Sequence, residues 1–371
     1  MGTMGAQMLR WNRSPYRDRA HHQKEETTVK PSFRFIRKLT VLGAAAGALT
    51  LSCSAFAATK VVVGYQQIVG PFVSAIADGT FDKALQEAGY EVDWRQFSSA
   101  GDISSAFASR DVPVGVLGST GITAAVTRGV DMQLFWILDN IGKSEALIAR
   151  NGSGIEAPKD LVGKKVGVPF VSTSHFHLLL GLNDIWKIKA NDVQILNMQP
   201  PQIVAAWQRG DIDAAYVWPP ALTEIMKTGK EIANSEEIGA KTVPTFDGIV
   251  VDKEWAAKNP KFMAAFTDVL AKSYQGFDAR KGSLTPDSPE IKGIVKMIGG
   301  EPADIVSAMS LLLFPDAAEQ ASATWLGGGA TKALTASAEF LKAQRQINAP
   351  LGDYSPFVSA SYAEAAAKNV K

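Results

Sequence analysis

Hydrophobic positions along the chain fall into two patterns, short continuous apolar runs and longer amphipathic stretches. Short runs rich in β-branched and aromatic residues predict buried strands, whereas apolar stripes repeating near 3.6 residues predict helices. The predicted strands cover residues 60–65, 91–97, 112–117, 132–138, 146–149, 165–168, 193–197, 212–218 and 249–251. The predicted helices cover residues 71–88, 102–110, 174–187, 200–209, 219–227, 260–276 and 302–313, with another starting at 119. Strands that alternate with helices predict an α/β fold.

One stretch, residues 205–222, contains a helix end, a tight turn, a buried strand and a new helix start. Gly210 ends the first helix, and Pro219 and Pro220 close the strand 212–218. A strand that runs directly into a helix leaves free backbone N–H groups at its carboxyl end, and ligands of α/β proteins bind there.

The same pattern occurs one hundred residues earlier without a gap. Five positions match in register, Phe107, Asp111, Val112, Val116 and Leu117 falling on Trp207, Asp211, Ile212, Tyr216 and Val217. Residues 118–120 then take the place of residues 218–220. The match predicts two α/β lobes of similar plan that offer strand ends to a common cleft.

The 371 residues exceed what one core usually holds, which also favours two lobes. We assign residues 58–143 to the first part of lobe 1, residues 144–244 to lobe 2, and residues 245–371 to the rest of lobe 1 with C-terminal helices. Two chain crossings between the lobes predict a hinged clamshell.

Residues 1–57 are predicted to be a signal peptide with an atypical N-terminal extension. Basic residues precede the apolar run 39–51, and a small-x-small cleavage site ends at Ala57. A membrane anchor is less favoured, because the run is shorter than the roughly 20 residues that a span needs. Lipidation of Cys53, the only cysteine, is also less favoured because residues 50–52 make a poor lipobox.

Cleavage would change the charge and the chemistry of the chain. Residues 1–57 hold nine of the 38 Lys and Arg and three of the 37 Asp and Glu, so the net charge falls from +1 to −5. No basic nucleic-acid footprint and no cysteine remain. GxSxG and P-loop motifs are absent, and His175 and His177 are spaced poorly for a helical metal pair. We therefore predict no enzyme activity, no metal and no cofactor.

Several motifs in one order closely resemble periplasmic taurine-binding proteins of ABC transporters, within the sulfonate/nitrate/taurine solute-binding family. The likeness covers roughly residues 60–357 and rests on residues 94–97, 144–147, 168–175, 199–201, 205–218 and 244–247. It departs at Lys143 and in the long N-terminus.

The resemblance implies a two-lobe periplasmic binding protein of type II with two hinge crossings. Such a protein would be an exported monomer that captures taurine or a similar short sulfonate and delivers it to an ABC permease in the inner membrane. A receptor for alkanesulfonates, nitrate or a pyrimidine vitamin precursor is the first alternative. A pyrimidine-precursor synthase and a sensor domain are less favoured alternatives.

A sulfonate needs hydrogen-bond donors rather than a basic partner, and hydroxyls and amides at helix starts supply them. Two such clusters contain Ser119 and Thr120 in lobe 1 and Ser172 and Thr173 in lobe 2. Plain N-capping is the alternative role of these side chains. The amide of Gln66, at the end of the first strand, is a further candidate donor.

The amine of an aminosulfonate needs an anion. Glu145 and Asp247, at the two crossings, are the candidate partners, although both could simply be solvated loop carboxylates. Trp218 is the candidate wall against the two-carbon linker with its face toward the ammonium, unless it is a core residue. Alternation along the strand predicts that Tyr216 shares its side.

Overall fold

The computed structural model describes residues 58–370, and the predicted signal peptide lies outside them. Ten strands occur in these residues: β1 Thr59–Tyr65, β2 Tyr90–Gln96, β3 Val114–Gly118, β4 Met132–Asn140, β5 Ala146–Arg150, β6 Lys165–Val168, β7 Gln194–Asn197, β8 Ala214–Val217, β9 Gly229–Asn234 and β10 Phe246–Asp252. They form two sheets of five strands, in the orders β2-β1-β3-β10-β4 and β7-β6-β8-β5-β9.

The two sheets share one plan. In the first, β1 runs parallel to β2 and β3, and β10 runs antiparallel to β3 and β4. In the second, β6 runs parallel to β7 and β8, and β5 runs antiparallel to β8 and β9. The chain passes to the second sheet after β4 and returns with β10, so the α/β prediction of two lobes with two crossings is confirmed.

Helices cover both faces of the sheets because the strands are apolar on both faces. Examples are Val63, Val116 and Tyr216, which are fully buried. The α-helices are α1 Pro71–Ala77, α2 Thr80–Glu87, α3 Ala100–Ala108, α4 Ser119–Thr127, α5 Thr173–Leu180, α6 Pro200–Arg209, α7 Ala221–Met226, α8 Ser235–Lys241, α9 Lys253–Lys258, α10 Pro260–Tyr274, α11 Phe277–Arg280, α12 Pro289–Ile298, α13 Pro302–Ser310, α14 Ala317–Gln320, α15 Gly329–Ala343 and α16 Ser361–Ala367.

Two predicted helices differ from the structure. The stretch 71–88 is divided into α1 and α2, because Gly79 adopts a left-handed conformation with φ 79° and the carboxylate of Asp78 accepts the N–H of Thr80 at 2.9 Å. The stretch 174–187 is α-helical only to Leu180, after which the backbone widens into a π-helical turn, Gly181–Ile185.

The edge strand β9 was not predicted. Its sequence includes Lys230 and Glu231, both exposed, and such charges lower the apparent strand signal while protecting a sheet edge from pairing with another chain. The boundaries of α6 match the prediction, since Pro200 and Pro201 open it and Gly210 ends it with φ 75°.

The antiparallel pair β4–β10 contains a bulge beside the carboxyl end of β4. Asp247 pairs with Asp139, but the next residue, Gly248, pairs with Ile137, so Leu138 is the extra residue. Side chains from the C-terminal part replace the missing ladder bonds. Buried Gln320 donates to the Ile137 carbonyl at 2.8 Å and accepts its N–H at 2.7 Å, and the Tyr274 hydroxyl donates to the Leu138 carbonyl at 2.9 Å.

Between Ala58 and Val370, no helix combines the length and the apolar character needed to cross a bilayer.

Candidate ligand-binding cleft

One cleft is lined by residues from both sheets and encloses about 740 Å³, its open mouth included. The strand ends that border it are those of β1, β3 and β4 in the first sheet and those of β6 and β8 in the second. Six of the eight predicted site residues line it, namely Gln66, Glu145, Ser172, Thr173, Trp218 and Asp247. The strand ends of the two lobes therefore meet at one place.

Two helix starts approach each other across this cleft. Gly118 is the N-cap of α4, and Ser172 is the N-cap of α5. A Cβ atom at Gly118 would lie only 3.1 Å from Cγ2 of Thr173 and 3.2 Å from Oδ1 of Asp247, so glycine permits the close approach. The amino ends of both helices carry unpaired N–H groups and partial positive charge, which favours an anion between them.

The start of α5 is held by its own side chains. The Ser172 hydroxyl accepts the N–H of His175 at 3.1 Å and donates to the carbonyl of Pro169 at 2.6 Å. The preceding residue, Val171, has φ 63°, a rare conformation for a β-branched residue. Ser172 therefore has the capping role that was its alternative in the sequence, and the backbone N–H groups of the first turn are the donors left for a ligand.

Ser119 and Thr120 begin α4 but do not line the cleft. Both are fully buried, and their hydroxyl oxygens have no hydrogen-bond partner among residues 58–370. Their neighbours Gly118 and Gly121 line the cleft instead. In this structure, the groups of this helix start that can donate to a ligand are therefore its backbone N–H groups. Donation by the Ser119 and Thr120 hydroxyls stays a prediction.

Gln66 and Trp218 border the cleft from opposite sheets. The Gln66 amide donates to the carbonyl of Val116 at 3.3 Å, which leaves its second N–H. Trp218 is half-buried and borders both the cleft and a neighbouring hollow. Tyr216 does not join Trp218 at the cleft. Its buried hydroxyl lies 3.0 Å from that of Ser235.

Glu145 precedes β5 at the first crossing, and its carboxylate sits in a network of hydroxyls. Thr173 donates to Oε1 at 2.5 Å and Ser235 donates to Oε2 at 3.2 Å. Burial raises the pKa of Glu145 to about 8, although the hydroxyl bond from Thr173 opposes the rise.

Asp247, in β10, lies opposite Asp139, the penultimate residue of β4. Burial is the largest cause that raises the pKa of both carboxyls, and for Asp139 the charges of Asp247 and then Glu145 add to it. Asp139 is 1% exposed, and its Oδ1 has no hydrogen-bond partner in the described part of the chain.

Asp139 was not predicted as a site residue, because it lies at the end of an apolar run and read as part of a polar hinge. The sequence did contain one indication, a single carboxylate at the carboxyl end of a buried strand. The same kind of position led to the prediction of Gln66 and Trp218 as site residues. Its pairing with Asp247 is visible only in the folded sheet.

No Lys, Arg or His is among the residues between 58 and 370 that line this cleft. In the same range, no three His, Cys, Asp or Glu side chains are placed to hold a metal ion. His175 and His177 are buried on α5, where desolvation lowers the pKa of each to about 4, and His175 stacks on Phe170 at 4.4 Å. The arrangement therefore combines helix starts suited to an anion with carboxylates suited to a cation.

Comparisons with known proteins place the chain among binding proteins. The family model described as NMT1/THI5 like matches residues 68–279. The taurine-binding periplasmic protein of Escherichia coli (strain K12) is 38% identical over 307 residues, which cover 83% of this chain and 93% of that protein.

Solved structures show the same fold at low identity. The periplasmic aliphatic sulphonate binding protein SsuA from Escherichia coli superimposes with a TM-score of 0.66 at 18% identity, covering 82% of this chain and 99% of that one. The alkanesulfonate-binding protein SsuA from Xanthomonas axonopodis pv. citri, bound to MOPS, gives 0.65 at 19% identity, covering 82% and 97%.

Proposed function

The chain belongs to the NMT1/THI5-like family, and on that premise we propose that it is a periplasmic receptor that captures taurine and delivers it to an ABC permease. The observation that carries the proposal is the union, in one cleft, of two opposed helix starts with three carboxylates and no basic side chain from residues 58–370. A short zwitterion satisfies both halves. Its sulfonate meets the helix starts and its ammonium meets the carboxylates.

For the sulfonate, we assign the backbone N–H groups at the starts of α4 and α5 as the main donors, with Gln66 beside them. The sulfonate keeps its charge at physiological pH, so donors without a counter-charge suffice. These two helix starts contain Ser119, Thr120, Ser172 and Thr173. A hydroxyl of this set donates to the sulfonate only if it turns toward the ligand.

For the ammonium, we assign Asp247 as the principal partner and Glu145 as a second one. Both line the cleft, and neither is paired with a Lys, Arg or His in residues 58–370. Trp218 closes the site as a wall beside the linker. Burial raises the pKa values of these carboxyls, and no Lys, Arg or His among the cleft residues between 58 and 370 offsets it, which supports the role.

The lobes are residues 58–143 with 245–371, and residues 144–244. We assign the hinge to the segments between β4 and β5 and between α8 and β10. Export through a signal peptide cleaved near Ala57 and action as a monomer complete the proposal. The 38% identical relative from Escherichia coli is a binding protein, which supports a receptor rather than an enzyme.

A ligand screen on the full-length chain tests this function. Thermal unfolding is followed with taurine, ethanesulfonate, nitrate and no ligand, and calorimetry measures each affinity. We expect taurine to raise the unfolding temperature most, because it alone satisfies donors and carboxylates together. Ethanesulfonate binding as tightly as taurine would instead favour an alkanesulfonate receptor.

A further inference from the structure

Asp139 is the one cleft carboxylate that has not yet been given an individual role. It is 1% exposed, lines the cleft and leaves Oδ1 without a partner among residues 58–370. A buried carboxylate oxygen without a donor is costly, so its retention at a ligand site points to a donor that arrives with the ligand.

The position of Asp139 is fixed by the sheet rather than by a mobile loop. It lies directly opposite Asp247, and Cβ atoms of such antiparallel partners are typically about 4.5–5.5 Å apart. The bulge at Leu138, held by Gln320 and Tyr274, fixes the backbone immediately before it. The two aspartates therefore form a rigid pair.

The ionisable groups around Asp139 are all acidic. Asp247 faces it from β10, Glu145 from the start of β5, and the phenol of Tyr274 from α10. Burial and the neighbouring carboxylates raise the pKa of Asp139, so we expect the pair to hold a proton in the free protein, and a bound cation can take the place of that proton.

We propose that Asp139 is a specificity residue that makes this cleft select a primary ammonium group over N-methylated amines. The inference rests on the proposed function, since it concerns the amine end of the same site. A primary ammonium has three N–H donors, and Asp139, Glu145 and Asp247 provide three carboxylates to accept them. Each methyl group on the nitrogen removes one donor and leaves one buried carboxylate without a partner.

A bare metal ion is a poorer occupant. No three acidic side chains in the described range are close enough together to chelate one. An ammonium carries its own donors and can bond to carboxylates one at a time, whereas a metal ion needs several ligands at once.

Calorimetry on the full-length chain tests the inference with taurine, N-methyltaurine, N,N,N-trimethyltaurine and ethanesulfonate. Because the trimethyl compound lacks all three N–H donors, wild type should bind taurine at least about 100-fold more tightly than that compound. Asp139→Asn should weaken taurine by about tenfold or more, the usual effect of losing a hydrogen bond to a charged group. The same change should lower the affinity for the trimethyl compound by less than about threefold, so the ratio of the two affinities becomes smaller.

Proton release provides a readout that a merely structural role would not move. Taurine binding to wild type near pH 7 should release protons, measured as a dependence of the binding enthalpy on the buffer, and Asp139→Asn should release fewer. Asp287→Asn, which changes an exposed carboxylate that does not line the cleft, is the matched control and should behave as wild type. Thermal unfolding of Asp139→Asn and of Asp139→Ser checks that each variant is folded.

The outcomes separate the two proposals. If wild type does not bind taurine, the proposed function fails. If wild type binds taurine, two results would overturn the inference and leave the function standing. Either both Asp139 variants bind taurine as tightly as wild type, or they weaken taurine and the trimethyl compound equally. In both cases Asp139 does not distinguish the amine.

Discussion

The carboxylates of the two lobes have different surroundings. Glu145, next to the second sheet, is 3% exposed and accepts hydrogen bonds from Thr173 and Ser235, and the latter contacts the hydroxyl of Tyr216. Asp139 and Asp247, in the first sheet, face each other with no donor from Lys, Arg or His among residues 58–370.

The difference indicates that Glu145 has a structural role as well as a binding role, whereas the two aspartates have a binding role alone. Thr173 belongs to the start of α5 and Ser235 to the start of α8, so Glu145 joins two helix starts of lobe 2. The aspartate pair of lobe 1 joins nothing beyond its own strands within residues 58–370. We therefore expect changes in lobe 1 to affect ligand binding and changes around Glu145 to affect both binding and stability.

Asp247→Asn should have the largest effect. An ammonium left without its carboxylate typically costs about 2–5 kcal/mol, so taurine affinity should fall by roughly 30-fold or more. Ethanesulfonate, which has no amine, should bind the variant as well as or better than wild type. Calorimetry with both ligands is the measurement, and equal weakening of both would assign Asp247 to the hinge instead of the amine.

The pH dependence of stability should be the next largest effect. Glu145 has its pKa raised from an ordinary 4.5 to about 8, so its neutral form stabilises the free fold fully below pH 4.5. That contribution is lost as the pH rises through 8, and should reach a few kcal/mol. Urea unfolding without ligand should show wild type losing stability from pH 5 to 9 more steeply than Glu145→Gln. Parallel curves would mean that Glu145 ionises freely in the fold.

Glu145→Gln should affect binding less than Asp247→Asn does. Thr173 and Ser235 donate to different oxygens of Glu145, so only one of them can still donate to the glutamine oxygen, while the other would have to accept from the amide. We expect taurine affinity to fall by about three- to tenfold, close to 1 kcal/mol. The double variant should lose less than the sum of the two single losses, because both carboxylates face one ammonium. Strictly additive losses, measured by calorimetry, would place the two carboxylates in separate sites.

Ser172→Ala should have the smallest effect, on folding. Removing an N-cap typically costs about 1 kcal/mol, and the hydroxyl bonds of Ser172 to His175 and Pro169 are those of a cap. Ser119→Ala is the matched control at the start of α4, and should change stability by less than about 0.5 kcal/mol since its hydroxyl has no partner in the described residues. Urea unfolding that shows equal losses would remove the distinction between the two helix starts.

The order of strands and helices could be predicted because it depends on patterns of neighbouring residues along the chain. The hundred-residue spacing between 112–117 and 212–217 correctly paired β3 with β8, which hold the same third place in their sheets. Gly210 and the two prolines before α6 likewise set its ends through backbone conformation alone. The crossing after β4 followed from a polar segment between two apolar runs.

The parts that could not be predicted depend on contacts between distant segments. Asp139 faces Asp247 only because β10 returns between β3 and β4, and the bulge at Leu138 depends on Gln320, far along the chain. The burial of the Ser119 hydroxyl depends on how α4 packs. Strand ends could thus be located from sequence, but the direction of each side chain could not.

The bulge held by Gln320 and Tyr274 has a consequence for engineering. A chimera that keeps all ten strands but takes its C-terminal helices from a relative would keep every residue that lines the carboxylate end of the cleft. Where the relative lacks the glutamine and the tyrosine, the chimera would nevertheless lose the two side chains that fix the backbone before Asp139. Recognition in such a hybrid would change although its three cleft carboxylates are the same, so transferring this cleft to another protein requires moving its C-terminal helices with it.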